Sequence, residues 1–152
     1  MSELWHYEDF APGQSGEHGS YAVTADEIRE FAQRWDPQPF HLDEDAGRAS
    51  LMGALCASGW HVCAMMNRLM IDGYVNRSAS MGSFGLSEVR WAKPVFPGDR
   101  LSLRWTVTDK RVSARRPEMG IITMHFELSD QNGELKLMAA GVNLFRVRGR
   151  PA

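Results

Sequence analysis

Ser58-Gly59-Trp60-His61-Val62-Cys63-Ala64-Met65-Met66-Asn67-Arg68-Leu69-Met70-Ile71-Asp72 is apolar on nearly every face of a helix. A helix without a polar face is surrounded by protein, so this stretch reads as a buried core helix, with Gly73 as its stop. A membrane span is the poorer reading. The uncharged run from Leu51 to Asn67 is 17 residues long and carries Gly53, Ser58, Gly59, His61 and Asn67, whereas a spanning helix needs about 20 mostly apolar residues.

What surrounds such a helix is written downstream. Ser83–Trp91, Leu101–Val112, Ile121–Leu128 and Leu135–Val147 are rich in alternating or β-branched residues, the pattern of strands. Pro94-Val95-Phe96-Pro97-Gly98-Asp99 separates the first two, and Arg116-Pro117-Glu118-Met119-Gly120 the next pair. Asp130-Gln131-Asn132-Gly133 is a hairpin signal, because Asn-Gly tolerates the positive φ of a tight turn. About four antiparallel strands after two helices predict an α+β fold, a sheet wrapped around one buried helix.

Upstream, residues 1–19 read as irregular, with Pro12-Gly13 and Gly16 as turns, and Tyr21-Ala22-Val23 as a short strand. Thr24-Ala25-Asp26-Glu27 fits a capping box. Ile28, Phe31, Ala32 and Trp35 then fall on one helical face. That helix ends near Asp36, because Pro37 and Pro39 disfavour helical geometry in the residues before them. His41–Ser50 reads as a loop with a helical turn.

Length and composition narrow the class. The 152 residues fit one domain, with no repeat or linker, and the core is expected over about 20–148. With 43% hydrophobic and 24% charged residues the chain has the composition of an ordinary soluble globule. A net charge of −2 offers no bulk attraction to nucleic acid or an anionic membrane. No basic region followed by an apolar run opens the chain, so no secretory signal is expected. Cys56 and Cys63 match neither a redox pair nor a zinc knuckle. Buried free thiols and a cytoplasmic location are expected.

The chemistry concentrates in Asp36-Pro37-Gln38-Pro39-Phe40-His41. Two prolines stiffen a non-helical link between an acid and an imidazole five residues apart. Such a pair converging on one water suits addition or removal of water across a double bond, one group taking a proton and the other supplying one. Ala57-Ser58-Gly59-Trp60 opens the apolar helix. The first backbone N–H groups of a helix lack internal partners and its dipole makes that end positive. A glycine there lets a carbonyl approach, and the N–H groups can bind a thioester oxygen as it gains charge.

These segments resemble the MaoC-like dehydratases, the (R)-specific enoyl-CoA hydratases with a hot dog fold. The Asp36…His41 segment is similar to their hydratase signature, and Gly53–His61 to their glycine-rich entry to the central helix. Val89–Asp99 is similar to their strand and Pro-Gly-Asp turn, and the Asn132-Gly133 hairpin falls where their last strand pair lies. The resemblance covers about residues 20–148. It implies an acyl-CoA thioester substrate, water added to a trans-2-enoyl-CoA to give a (3R)-hydroxyacyl-CoA, and CoA entering only as part of the substrate. It implies no metal or other cofactor, and a homodimer or dimer-based higher oligomer. Asp36 and His41 match the catalytic pair and Gly59 the oxyanion donor. Gln38, Phe40, Ser58, Trp60 and Trp35 are the candidate substrate contacts. The sequence departs from the signature at Trp35, where glycine is usual, and at Gln38, where asparagine is usual; acyl range is the property those positions touch.

Other readings stand beside this one. Asp36, His41, Asp43 and Asp45 are candidate metal ligands, although the prolines oppose convergence of all four. His61 and His125 read as structural. Met65, Met66 and Met70 read as core filler. The clusters Arg111, Arg115, Arg116 and Arg146, Arg148, Arg150 read as solvated faces or as contacts for CoA phosphates. A thioesterase of the same fold commonly places an acid on its central helix, and none lies between Ser58 and Ile71. A non-catalytic acyl-CoA-binding protein and an enzyme for branched or dicarboxylic enoyl-CoA are the remaining alternatives.

Overall fold

In the computed structural model, which describes residues 3–151, the apolar stretch forms helix α4 over Gly59–Gly73, with Ser58 at its N-cap; Met1, Ser2 and Ala152 lie outside the described residues. Val62, Met65, Met66, Leu69 and Met70 of α4 share one core with alternate residues of the sheet. Five antiparallel strands build that sheet: β1 (Ser15–Ala22), β2 (Ser80–Trp91), β3 (Arg100–Val112), β4 (Met119–Ser129) and β5 (Leu135–Arg146), in the order β1-β3-β4-β5-β2. Leu101, Leu103, Trp105 and Val107 of β3 point inward at every second position, as do Ile122, Met124, Phe126 and Leu128 of β4. The period of two puts one face of each strand on the helix. This is the expected α+β architecture. No helix among the described residues is long and apolar enough to cross a membrane.

Three expectations change. The strand predicted over Tyr21–Val23 is β1, starts at Ser15 and pairs with β3. Gly16 is no turn: a Cβ there would lie 2.6 Å from the indole of Trp105, so the glycine marks a close approach within a strand. The burial expected all round α4 fails on one stripe, where Trp60, Ala64, Asn67 and Arg68 are exposed, because the sheet and the first helix cover only two sides. Helix α4 does end at Gly73, as expected, though without a positive φ; the glycine's lack of a side chain admits the ring of His18.

The first helix, α1 (Ala25–Trp35), is capped as expected by Thr24, whose hydroxyl accepts from Glu27 N at 3.2 Å. The reciprocal half of the box does not form. Glu27 turns away and accepts the hydroxyl of Tyr21, and lies 3.8 Å from His61 Nε2. The expected loop with one helical turn is two short helices, α2 (Pro39–Leu42) and α3 (Glu44–Ala49).

The Pro-Gly-Asp turn and the β4–β5 hairpin are fastened by one buried amine. Lys136 Nζ donates to Pro94 O at 3.0 Å and Glu134 Oε1 at 2.9 Å, and lies 3.5 Å from Asp99 Oδ2 and 3.4 Å from Asp130 Oδ2. In the hairpin only Gly133 takes a positive φ, 77°; Asn132 does not, and its N–H donates to Asp130 Oδ1. Lys136→Met would strand two buried carboxylates. The expected cost is about 3–5 kcal/mol, read as a lower denaturant midpoint at unchanged slope; a midpoint equal to that of the wild type would contradict this account of the fastening.

Candidate active site

Pro37 stops α1 at Trp35, and Asp36 becomes its C-cap. Gln38 N–H donates back to Asp36 O at 2.8 Å, and Pro39 opens α2 at its first position, where a missing N–H costs nothing. Two residues later His41 faces the acid. His41 Nε2 lies 3.4 Å from Asp36 Oδ2, with the imidazole buried and the carboxyl largely so.

The partners of each ring fix what the pair can do. His41 Nδ1 is 2.7 Å from Cys56 O. A carbonyl only accepts, so Nδ1 carries the hydrogen, and in the neutral ring Nε2 is bare toward Asp36. Ser58 Oγ donates to Asp36 Oδ2 at 2.7 Å, and Gln38 Nε2 to Asp36 Oδ1 at 2.8 Å. Burial pushes this carboxyl upward, but the Ser58 and Gln38 hydrogen bonds, joined by the charge of His41 when its ring is protonated, outweigh it and hold the group below the ordinary carboxylate value. Asp36 is therefore ionised at neutral pH. Spending its hydroxyl on Asp36, Ser58 leaves the N-terminus of α4 without a side-chain cap, so the outward N–H groups of that turn stay available.

Asp36, Gln38, Phe40, His41, Gly59 and Trp60 line a cavity of about 480 Å³. Of the expected set, two residues are elsewhere. Ser58 is fully buried behind Asp36 and touches the acid instead of the cavity. Trp35 is 65% exposed; it lies in a separate groove between α1 and α4, with the Arg34 guanidinium 5.0 Å from its ring. The last turn of α1 overhangs that groove, so the helical face that buries Ile28 and Ala32 does not carry Trp35 inward.

Met52, Cys56, Trp91, Lys93 and Val95 complete the wall. They come from segments far apart in sequence, and no local spacing singled them out. Trp91 bears directly on Gly59: its Nε1 donates to Gly59 O at 2.9 Å, and a Cβ on residue 59 would fall 2.6 Å from the indole. Close packing by Trp91 thus adds a reason for glycine to that of carbonyl access.

The α1–α4 groove is larger, about 580 Å³, but three of its charged groups already have partners. Glu27 accepts from Tyr21, and Arg68 pairs with Asp72 at 2.7 Å. The metal reading loses its ligands to local roles. Asp43 caps α3 through Ala46 N at 2.8 Å and Asp45 pairs with Arg48. The arginine clusters do not line the Asp36 cavity either; Arg148 pairs with Asp9 at 2.8 Å, and Arg111 and Arg146 lie at the sheet end opposite Trp91.

Residues 9–126 match the model of the MaoC-like domain. The chain belongs to the MaoC-like dehydratase family. It is 38% identical to a MaoC-like dehydratase from Rhodospirillum rubrum whose crystal structure superposes with a TM-score of 0.86, covering 97% of this chain and 99% of that one. It is 30% identical to the uncharacterized protein YdeM of Bacillus subtilis over 138 residues, 86% of this chain and 96% of YdeM. A conserved hypothetical protein of Mycobacterium tuberculosis with a double hotdog fold superposes at 0.83, with 15% identity over 98% of this chain and 47% of that one, a likeness of fold alone. The sheet wrapped on α4 is the hot dog fold.

Proposed function

We propose that this MaoC-like protein is an acyl-CoA hydratase/dehydratase that reversibly adds water to a trans-2-enoyl-CoA, giving a (3R)-hydroxyacyl-CoA. The observation that carries the reading is the confrontation of two acceptors, ionised Asp36 Oδ2 and bare His41 Nε2, 3.4 Å apart beside an uncapped helix N-terminus. Two acceptors facing each other are best served by a water that donates one O–H to each. That arrangement aims the water's lone pair into the cavity. The thioester carbonyl accepts from the N–H groups at Gly59, which draws charge onto its oxygen and makes the β-carbon electrophilic. The water oxygen bonds to that carbon, the pair takes one of its protons, and the α-carbon receives one proton from the pair. In reverse the same groups remove water. CoA enters as part of the substrate, and no separate cofactor is part of the reading.

A homodimer belongs to the same proposal. β2 is an edge strand, with Phe84 68% exposed and Leu86 and Trp91 also exposed on it, and the open stripe of α4 carries Trp60. A long apolar edge is a template for pairing with another chain, and a second copy would cover it. The two free thiols suit a cytoplasmic location.

Ser58→Ala tests the positioning of the acid. Removing a hydrogen bond to the charged form raises the Asp36 pKa toward the ordinary range, so the acid limb of the kcat/KM profile should move to higher pH. The expected loss in kcat is about tenfold. An unchanged profile would assign Ser58 to packing alone.

The activity itself is tested by following loss of enone absorbance from crotonyl-CoA, then from a panel of long, branched and dicarboxylic enoyl-CoAs. Turnover of any member supports the reading. Silence across the panel, with CoA thioesters still bound, would favour a binding protein.

A further inference from the structure

The cavity wall holds one charged side chain besides Asp36 and His41, that of Lys93. The remaining lining residues are apolar, aromatic or uncharged. The chain's other two lysines show what an amine normally finds. Lys136 lies among three carboxylates, and Lys110 donates to Tyr7 O and Phe10 O and sits 4.1 Å from the Tyr7 ring centre. Lys93 has no salt bridge and no side-chain hydrogen bond among the described residues.

Its backbone, by contrast, is held firmly. Ala92 N and Lys93 N donate to Lys136 O, and Pro94 follows and keeps the residue before it extended. The run is tied to the entry of α4 on both sides of Lys93, through Trp91 Nε1 to Gly59 O and through Ala57 N to Val95 O, each 2.9 Å. An unpaired ammonium is thus anchored beside the turn that receives the thioester carbonyl. A compact point charge on a flexible stem, in an otherwise uncharged wall, gains most from an anion that arrives with the ligand.

We infer that Lys93 is an anion-recognition residue of this cavity, pairing with a negatively charged group on the thioester substrate. The inference rests on the acyl-thioester reading of the site. Two parts of such a substrate supply the anion: a phosphate of CoA, or a second carboxylate on the acyl group.

The test compares wild type, Lys93→Met, which keeps the stem and loses the charge, and Lys93→Arg, which keeps the charge. The substrates are crotonyl-CoA, crotonyl-pantetheine, which lacks phosphate, and an enoyl-CoA bearing a second carboxylate. Lys93→Met should raise KM about fivefold with kcat nearly unchanged, and Lys93→Arg should restore most of it. A loss on both CoA thioesters that vanishes with crotonyl-pantetheine assigns the anion to a CoA phosphate. A loss confined to the carboxylated substrate assigns it to the acyl group. Equal KM for wild type and Lys93→Met on all three overturns the inference while the hydratase reading stands. If the wild type turns over none of them, that reading goes to the full substrate panel, and calorimetry decides the inference separately. Weaker binding of butyryl-CoA or succinyl-CoA by Lys93→Met, with butyryl-pantetheine unaffected, supports it. Unchanged affinity, or no binding by the wild type, overturns it.

Discussion

Asp36→Asn should lower kcat/KM for enoyl-CoA hydration by about a thousandfold, within the range positioned acid–base groups contribute, or roughly 4 kcal/mol of transition-state stabilisation. The substitution keeps shape and removes charge. An amide cannot take the water's proton, and its NH2 must face one of the two donors, Ser58 Oγ or Gln38 Nε2, that now serve separate carboxylate oxygens. His41→Ala should lose a similar factor, and the double variant little more, because the two groups act on one water as a unit. Circular dichroism and the thermal midpoint should change little, since neither side chain belongs to the hydrophobic core. An Asp36→Asn enzyme that kept a tenth of its activity would remove the acid from the mechanism.

The second large effect concerns the core. Trp105→Ala should cost about 3–5 kcal/mol, against a total stability of roughly 5–15 kcal/mol for a domain. Trp105 is 2% exposed. Its ring lies 5.2 Å from that of Tyr74, 6.3 Å from Phe10 and 6.5 Å from Trp5, and its Nε1 donates to His18 Nε2 at 3.0 Å. It therefore joins β3 to β1, to the N-terminal segment and to the residue that caps α4. The histidine bond adds a pH signature. Burial, and then the charge of Arg77, hold His18 below its ordinary value of 6.5. As pH falls through that value the unfolded chain binds the proton first, so stability is lost on acidification. Trp105→Ala should flatten part of this loss. Chemical denaturation from pH 8 to pH 5 reads both effects, and a midpoint within experimental error of wild type at neutral pH would contradict the packing account.

Local patterns made much of this legible. Helix α4, the last three strands, the Asn132-Gly133 hairpin and the Asp36–His41 spacing are each set by neighbours in sequence. β1 was hidden because Gly16 looks like a turn until Trp105 is placed beside it, and those residues are 89 positions apart. Trp35 keeps the helical spacing of Ile28 and Ala32, yet the helix outruns the surface it packs on, which no periodicity reveals. The two supports of His41 and Gly59, Cys56 O and the Trp91 indole, are tertiary contacts. Ser58 was placed correctly at the entry of α4, but its role as a donor to Asp36 depends on how α1 and α4 meet.

The central claim is that water adds to an enoyl thioester at this pair. Incubating the wild type with crotonyl-CoA in ¹⁸O-labelled water, with mass analysis of the acyl product, tests it most directly. The account predicts one labelled oxygen on the β-carbon with the thioester intact, and none with Asp36→Asn or His41→Ala. Release of free CoA with label in a carboxylate would instead identify a thioesterase and contradict the account.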